Sequence, residues 1–369
     1  MIRVELVETA PTDSVGSMRR YADLIEQAFV SSRDISISRR SIASPSNRQR
    51  WIPSAFRTFQ HHGSIYLRAG KLGRQPNINL FHVVDGSHGY VVPLLRNRPT
   101  VVTVHDLIPA MQSQCRFPTV PPGTAARQII ASALRGVSKA SGIICDSEST
   151  KRDLDTFATT AAMKSIVVFP PLESGFLPAD DDKVPQGSPF VLHIGNNAFY
   201  KNRMGVIRTF AAFAGDVPHR LIMAGPSPTP ELRELVASFQ LVDRVDFDVN
   251  PTDFEVRRLY QDAALLLFPS VYEGFGWPPL EAMASGCPVV CSDSGSLPEV
   301  VGDAALMAKH DDFEMLAAKC RDVLKNADLA QRLKNAGLAR AKEFTLGRFR
   351  DELLVVYRNA MSDFGSTQR

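Results

Sequence analysis

Short apolar segments of strand character recur along this chain, and stretches with helical period fall between most of them. That alternation constrains the fold more than any other feature. Parallel strands need crossovers of a dozen or more residues, usually helical, so the pattern implies parallel sheets covered on both faces. In the first half the strand candidates are IRVELVE, ISISR, NLFHVVD, TVVTVHD, GIICDS and SIVVFP, with the clearest helices over Met18–Val30 and Ala125–Ala140. The pattern then breaks. PPLESGFLPADDDKVPQGSP, residues 170–189, is rich in Pro, Gly and Asp and has no period, which reads as a linker. Alternation restarts with FVLHIG, HRLIMAG, RVDFDV, LLLFPS and PVVCSD. A chain of 369 residues exceeds one ordinary core and suits two. The expectation is therefore α/β: two Rossmann-like doubly wound domains, 1–172 and 190–345, joined by a linker at 173–189 and facing a central cleft. An amphipathic helix over 346–369 is expected to cross back to the first domain.

Composition excludes several classes. No apolar run reaches the roughly 18 residues of a membrane-spanning helix. The start, MIRVELVETAPTDS, enters a strand pattern directly instead of an apolar leader, so a cytoplasmic location is expected. The five cysteines are scattered, and Cys287 and Cys291 have no second pair or histidine in zinc spacing; buried thiols are expected. The net charge of +3 hides an asymmetry. Between Arg33 and Arg74 stand nine basic residues (Arg33, Arg39, Arg40, Arg48, Arg50, Arg57, Arg68, Lys71, Arg74) against one acid, Asp34. Aromatics interleave them in RWIPSAFRTFQHHGSIYLR. Two readings stand side by side: peripheral contact with an anionic membrane, or a solvated basic helix and loop with inward aromatics. Nucleic-acid phosphate is the weaker fit, and no nucleic-acid partner is expected.

Chemistry concentrates in FPSVYEGFGWPPLEAMASGCPVVCSD, residues 268–293. A strand ending at Ser270 delivers Glu273 to the carboxyl edge of a sheet, where ligands sit. Gly274 and Gly276 let backbone approach a ligand closely. Pro278 and Pro279 suit the first turn of a helix whose start is a natural diphosphate site. Glu281 lies one turn further, placed to accept hydrogen bonds from vicinal hydroxyls. One carboxylate on each side of a phosphate cradle suits a sugar at one end and a ribose at the other. Asp246 and Asp248 of DFD fall on one face of a strand and read as structural; no metal is expected. Neither a GxGxxG after the first strand nor a P-loop is present, which removes the main support for nicotinamide or ATP chemistry.

These residues resemble the retaining GT-B glycosyltransferases of the glycogen-synthase and mannosyltransferase type (family 4 of the sequence classification). EGFGWPPLEAMASGCPVV looks like that family's E-x7-E signature, and the resemblance extends to VTVHDLIP, CDSESTKRDL, LHIGNNAFYKN and SLPEVVGDAAL. It implies that Glu273 meets hydroxyls of the donor sugar, that Glu281 meets the ribose, and that the amides of Phe275 and Gly276 approach sugar and phosphates. It places Lys201 on the donor diphosphate, where a cation offsets the charge of the leaving group. Many relatives have an arginine where this chain has Asn196 and Asn197; Arg203 is the candidate for that second charge. His105 is expected to face the donor sugar through its ring or backbone carbonyl. Gly16, with Ser17, stands where relatives have a glycine-rich first loop, and Arg19 is a further phosphate candidate.

The implied activity is hexosyl transfer with retention, free of metal or other cofactor, in which closure of the two domains would exclude water. The donor is a nucleotide diphosphate sugar, GDP-mannose first because VHDLIP and WPPLEAMASGCPVV look most like bacterial mannosyltransferases of surface-polysaccharide assembly. UDP-glucose, UDP-N-acetylglucosamine and other GDP or dTDP sugars follow. The acceptor is a saccharide or polyprenyl-linked saccharide, which agrees with peripheral attachment to an inner membrane face through residues 33–74. The alternatives are a nucleotide-sugar epimerase and a non-catalytic GT-B subunit.

Overall fold

A computed structural model describes residues 1–9, 16–43, 54–95, 97–179 and 188–367 (of 54–60 and 367, the backbone alone). The chain forms two compact units, Met1–Pro171 with Leu346–Arg369, and Leu172–Thr345. Of the expected linker, residues 180–187 lie outside the described residues.

Unit 1 holds β1 (Ile2–Glu8), β2 (Ile35–Ser41), β3 (Leu80–Val83), β4 (Thr100–Val104), β5 (Gly142–Cys145) and β6 (Ser165–Val167), in the order β2-β1-β3-β4-β5-β6. Unit 2 holds β7 (Phe190–Ile194), β8 (Arg220–Gly225), β9 (Val245–Val249), β10 (Leu265–Phe268), β11 (Val289–Ser292) and β12 (Leu306–Ala308), in the order β12-β11-β10-β7-β8-β9. Every strand pair is parallel. The inner strands TVVTV, LLLF and VVCS are buried at every position, which is why they read as unbroken apolar runs. In unit 1, Phe81, Val102 and Ile143 pack with Val91, Val137 and Leu154; in unit 2, Leu221, Leu265 and Val290 pack with Phe210 and Leu316. Strand order reverses between β1 and β3 in one sheet and between β7 and β10 in the other. Such reversals open a crevice at the carboxyl ends of the strands.

The helices expected near Met18 and Ala125 run Ser17–Phe29 and Thr124–Val137. The helix Leu346–Thr367 belongs to unit 1. Its Tyr357 is fully buried, with its hydroxyl 2.8 Å from Nδ1 of His82 on β3. Nε2 of His82 lies 2.8 Å from Thr103 Oγ1, which donates to the Tyr21 hydroxyl at 3.3 Å. Burial, helped by the nearby His105, pushes His82 down to about 3. The imidazole is therefore neutral, and this buried relay is satisfied without net charge.

Two cations of the basic segment are already matched. Arg39 on β2 donates to both oxygens of Glu8, at 2.9 and 2.8 Å, and also pairs with Asp23 and Glu26. Arg40 pairs with Glu5 at 2.7 Å. Neither supplies free charge for a membrane surface. Arg48 and Arg50 lie outside the described residues, as does the side chain of Arg57. Four cysteines are buried as expected, but Cys115 is exposed. Among the described residues, no helix is long and apolar enough to cross a membrane.

Candidate active site

β7 and β10 are neighbours at the strand-order reversal of unit 2, and the loops that follow them carry the candidate residues. The turn Phe199–Lys201 after β7 ends at Asn202, which adopts a left-handed conformation (φ 51°, ψ 41°). Asparagine tolerates that region because its short side chain bonds locally. Here Oδ1 accepts from the Gly205 amide at 3.2 Å and caps the helix Arg203–Ala211. Its Nδ2 donates to the carbonyls of Pro269 and His310, at 2.8 and 2.9 Å, so one side chain ties the β7 loop to the end of β10.

Lys201 thereby faces Glu273. Its Nζ lies 2.8 and 2.9 Å from the two carboxylate oxygens, and both side chains are largely buried, 14% and 9% exposed. The Glu273 loop is held from behind by Ser296. The Ser296 amide donates to the Glu273 carbonyl at 3.1 Å, and Ser296 Oγ lies 3.0 Å from that carbonyl and 2.6 Å from the carbonyl of Phe275. Gly276 takes φ 102° and ψ 56°, and a Cβ there would stand 2.6 Å from Leu297 Cδ2, so only glycine makes this turn without strain. The helix starts at Trp277, one residue ahead of Pro278. Pro278 and Pro279 have no N–H. Of the first three residues of this helix, only Trp277 therefore offers a backbone N–H.

Glu281 sits in that helix, 4% exposed, and accepts a hydrogen bond from the Tyr260 hydroxyl at 2.8 Å. Arg203 is also 4% exposed. Its Nη1 donates to Asn197 Oδ1 and, at 3.1 Å, to the Pro226 carbonyl, while Nε and Nη2 have no partner among the described residues. Burial lowers its pKa. A guanidinium buried with two unpaired nitrogens is costly until an anion completes it. Asn196 acts locally, its Oδ1 accepting from the Ala198 amide at 2.9 Å to shape the turn. His193, fully buried on β7, is pushed by burial down to about 3 and stays neutral beside Lys201 and Arg203.

Lys201, Glu273, the Gly274, Phe275 and Gly276 turn, Glu281, Asn196 and Arg203 thus all belong to unit 2, while His105 and Gly16 belong to unit 1. Gly16 precedes the helix Ser17–Phe29 with extended backbone, and a Cβ there would meet open space, so nothing described around it requires glycine. His105 follows β4, and its groups are committed. Nδ1 lies 2.5 Å from Asp146 Oδ2, Nε2 lies 2.7 Å from the Val84 carbonyl, and the backbone carbonyl accepts from Thr150 Oγ1 at 3.1 Å. Both ring partners are acceptors, so both nitrogens must carry protons. Burial opposes that charge, but Asp146 outweighs it and the pKa rises to about 9. The ring is an imidazolium held within unit 1. Asp246 of the DFD stretch is likewise occupied, taking Nε and Nη2 of Arg220 at 2.7 Å each.

The partners Asn202, Ser296 and Tyr260 were absent from the sequence reading. Ser296 and Tyr260 work on groups 21–23 residues away, and no local motif marks such tertiary contacts. Asn202 had a signal, since Asn before a helical stretch is a capping residue.

Residues 179–340 match the family model described as glycosyl transferases group 1. The O-antigen chain mannosyltransferase B of Escherichia coli is 41% identical over 106 residues, 29% of this chain and 28% of that protein. An O-antigen chain mannosyltransferase of Salmonella typhimurium is 24% identical over 248 residues, 67% of this chain and 66% of that one. The chain thus matches less than two thirds of the length of these relatives. Among solved structures, a sucrose-phosphate synthase from Thermosynechococcus elongatus superposes with a TM-score of 0.81 at 19% identity, covering 98% of this chain and 100% of that one. The fold is that of the GT-B glycosyltransferases, two parallel α/β sheet domains. The match to the glycosyl transferases group 1 spans most of the second unit and less than half of the chain.

Proposed function

We propose that this chain is a retaining glycosyltransferase that moves a hexose, first mannose from GDP-mannose, to a hydroxyl of a saccharide or lipid-linked saccharide. The observation that carries the reading is the buried Lys201–Glu273 pair at the β7–β10 reversal, with Glu281 one helical turn further on. The mannosyltransferase names of two relatives support the choice of sugar.

In this reading Glu273 takes hydroxyls of the donor sugar, and Glu281, held by Tyr260, takes the ribose. The two unpaired nitrogens of Arg203, Nε and Nη2, meet the diphosphate. Lys201 is shared between Glu273 and that diphosphate, so it links the recognised sugar to the departing group. Charge that develops on the leaving oxygen is then met by cations already in place. The bond from the anomeric carbon to the diphosphate breaks as the acceptor hydroxyl attacks from the same face through an oxocarbenium-like state. The hydroxyl's proton passes to the departing phosphate oxygen, so no covalent carboxylate is needed. His105, with both ring nitrogens protonated and bonded, supports the loop after β4 instead of moving a proton. Attachment to the inner membrane face belongs to the same proposal, with the charge coming from Arg48, Arg50 and Arg57, because Arg39 and Arg40 are paired.

Calorimetric titration with GDP, UDP and dTDP, on the wild-type chain and on Glu281→Gln, tests the site. Tight binding of GDP that the substitution weakens is the expected result. A preference for UDP or dTDP would replace the donor while leaving transfer standing, and no binding of any of the three would overturn the enzyme reading.

A further inference from the structure

Unit 1 has a cavity of about 770 Å³ at the amino edge of its sheet, where Thr100 starts β4 and Gly142 starts β5. It lies at the opposite edge from His105, and its volume falls within the range of about 300–1,000 Å³ typical of ligand pockets. One wall is the helix Leu346–Thr367. That helix packs so closely on β5 that a Cβ at Gly142 would stand 3.3 Å from Val356 Cγ1 and 3.4 Å from Ala360 Cβ. The lining is apolar over Val92, Ile143, Met163, Ile166, Val356 and Phe364. Met163 is 82% exposed and Ile166 37%, so this apolar surface meets solvent.

Its polar groups are mostly cationic. β5 and β6 are neighbours, so the two helix-to-strand turns that lead into them lie side by side. One carries Lys139, two residues past the helix Thr124–Val137, and the other Lys164, two residues past the helix Glu148–Ala162. A lysine placed there ordinarily serves the last carbonyls of its helix. Neither ammonium group makes a hydrogen bond or ion pair among the described residues. Arg98 adds a third charge, its guanidinium bonded only to the neutral carbonyls of Ile78, Asn97 and Pro76 at 3.0, 2.7 and 3.4 Å. Against these three cations the described lining has one acid, Asp363. Ser141 Oγ accepts from the Thr100 amide at 3.3 Å, and no acceptor among the described residues takes its own proton.

Unmatched cations and a hydroxyl donor select an anionic head, and the apolar lining selects a body that prefers to leave water. We propose that this cavity binds an amphipathic anion, a carboxylate or phosphate on an alkyl chain. Lys139, Lys164 and the Ser141 hydroxyl meet the head, and the chain lies along Ile143, Val356 and Phe364. The occupant touches both β5 and the helix Leu346–Thr367, so it fastens the last helix of the chain to the sheet. Binding here is independent of the transferase reading.

The test compares octanoate, octyl phosphate, 1-octanol and acetate at neutral pH, below any micelle concentration, by calorimetry and saturation-transfer NMR. At least one octyl anion should bind about five-fold more tightly than 1-octanol, through two lysine contacts. It should bind far more tightly than acetate, which has no chain to bury. Whichever octyl anion binds the tighter names the head. The double variant Lys139→Gln, Lys164→Gln should bring that anion to the affinity of 1-octanol and leave 1-octanol and GDP binding unchanged. Met163→Asp, at an exposed position, should weaken the anion several-fold by repelling its head. Bound anion should slow hydrogen exchange in the helix Leu346–Thr367 and in β5. Failure of both octyl anions to bind, equal binding of 1-octanol, or protection confined to other elements would overturn the proposal. So would a double variant that lowered the thermal midpoint of the free chain while the anion kept its advantage, because the lysines would then serve only the helix ends.

Discussion

His105 makes a stability measurement diagnostic. Its two ring nitrogens face Asp146 and the Val84 carbonyl, and its pKa in the folded chain is about 9. The unperturbed value is about 6.5, so the shift of about 2.5 units corresponds to roughly 3 kcal/mol of folding free energy. The folded-state pKa is raised, so this contribution is complete below about pH 6.5 and is lost as pH rises through about 9. His105→Gln can donate to Asp146 or to Val84 but titrates nowhere in this window. Urea unfolding of both proteins from pH 6 to pH 10, followed by hydrogen exchange in β4 and β5, reads unit 1 directly. The stability gap between wild type and variant should shrink by about 3 kcal/mol across that range. A gap that stayed constant with pH would show that the ring is neutral and refute the assignment of two acceptors.

Two further outcomes follow, one from a described contact and one from the proposed membrane attachment. Lys201→Met strands the Glu273 carboxylate, 9% exposed, and should cost about 3–5 kcal/mol in the stability of unit 2, most of it recovered in the double variant with Glu273→Gln; additive single effects in urea unfolding would contradict the pairing. Binding to anionic liposomes should be salt-sensitive and fall sharply when Arg48, Arg50 and Arg57 are reversed in charge, whereas unchanged co-sedimentation would remove the membrane reading.

The sheets were legible because inner parallel strands are unbroken apolar runs. TVVTV and LLLF could hardly be anything else once turn residues bounded them. β12 escaped notice, since a three-residue edge strand within AALMA carries neither length nor β-branched residues. The helix Ser54–Leu72 was expected only as one of two readings of the basic segment and without bounds. At the site, Glu273, Glu281 and Lys201 stood out because glycines, prolines and a strand end surround them. Their supports did not. Tyr260 reaches Glu281 from another helix, and Ser296 acts on backbone carbonyls that any residue would present. The commitment of the His105 ring needed Asp146, 41 residues away, and a main-chain oxygen that sequence cannot mark.

Tyr357 and His82 stand 275 residues apart, and the whole of unit 2 is encoded between them. On the ribosome, every strand of unit 2 has therefore been made before the helix Leu346–Thr367 that completes unit 1. The unit begun first is finished last. Until those residues emerge, the face lined by Tyr21, Phe29 and His82 lacks its cover, and the nascent chain carries an uncapped apolar surface through the synthesis of an entire second domain.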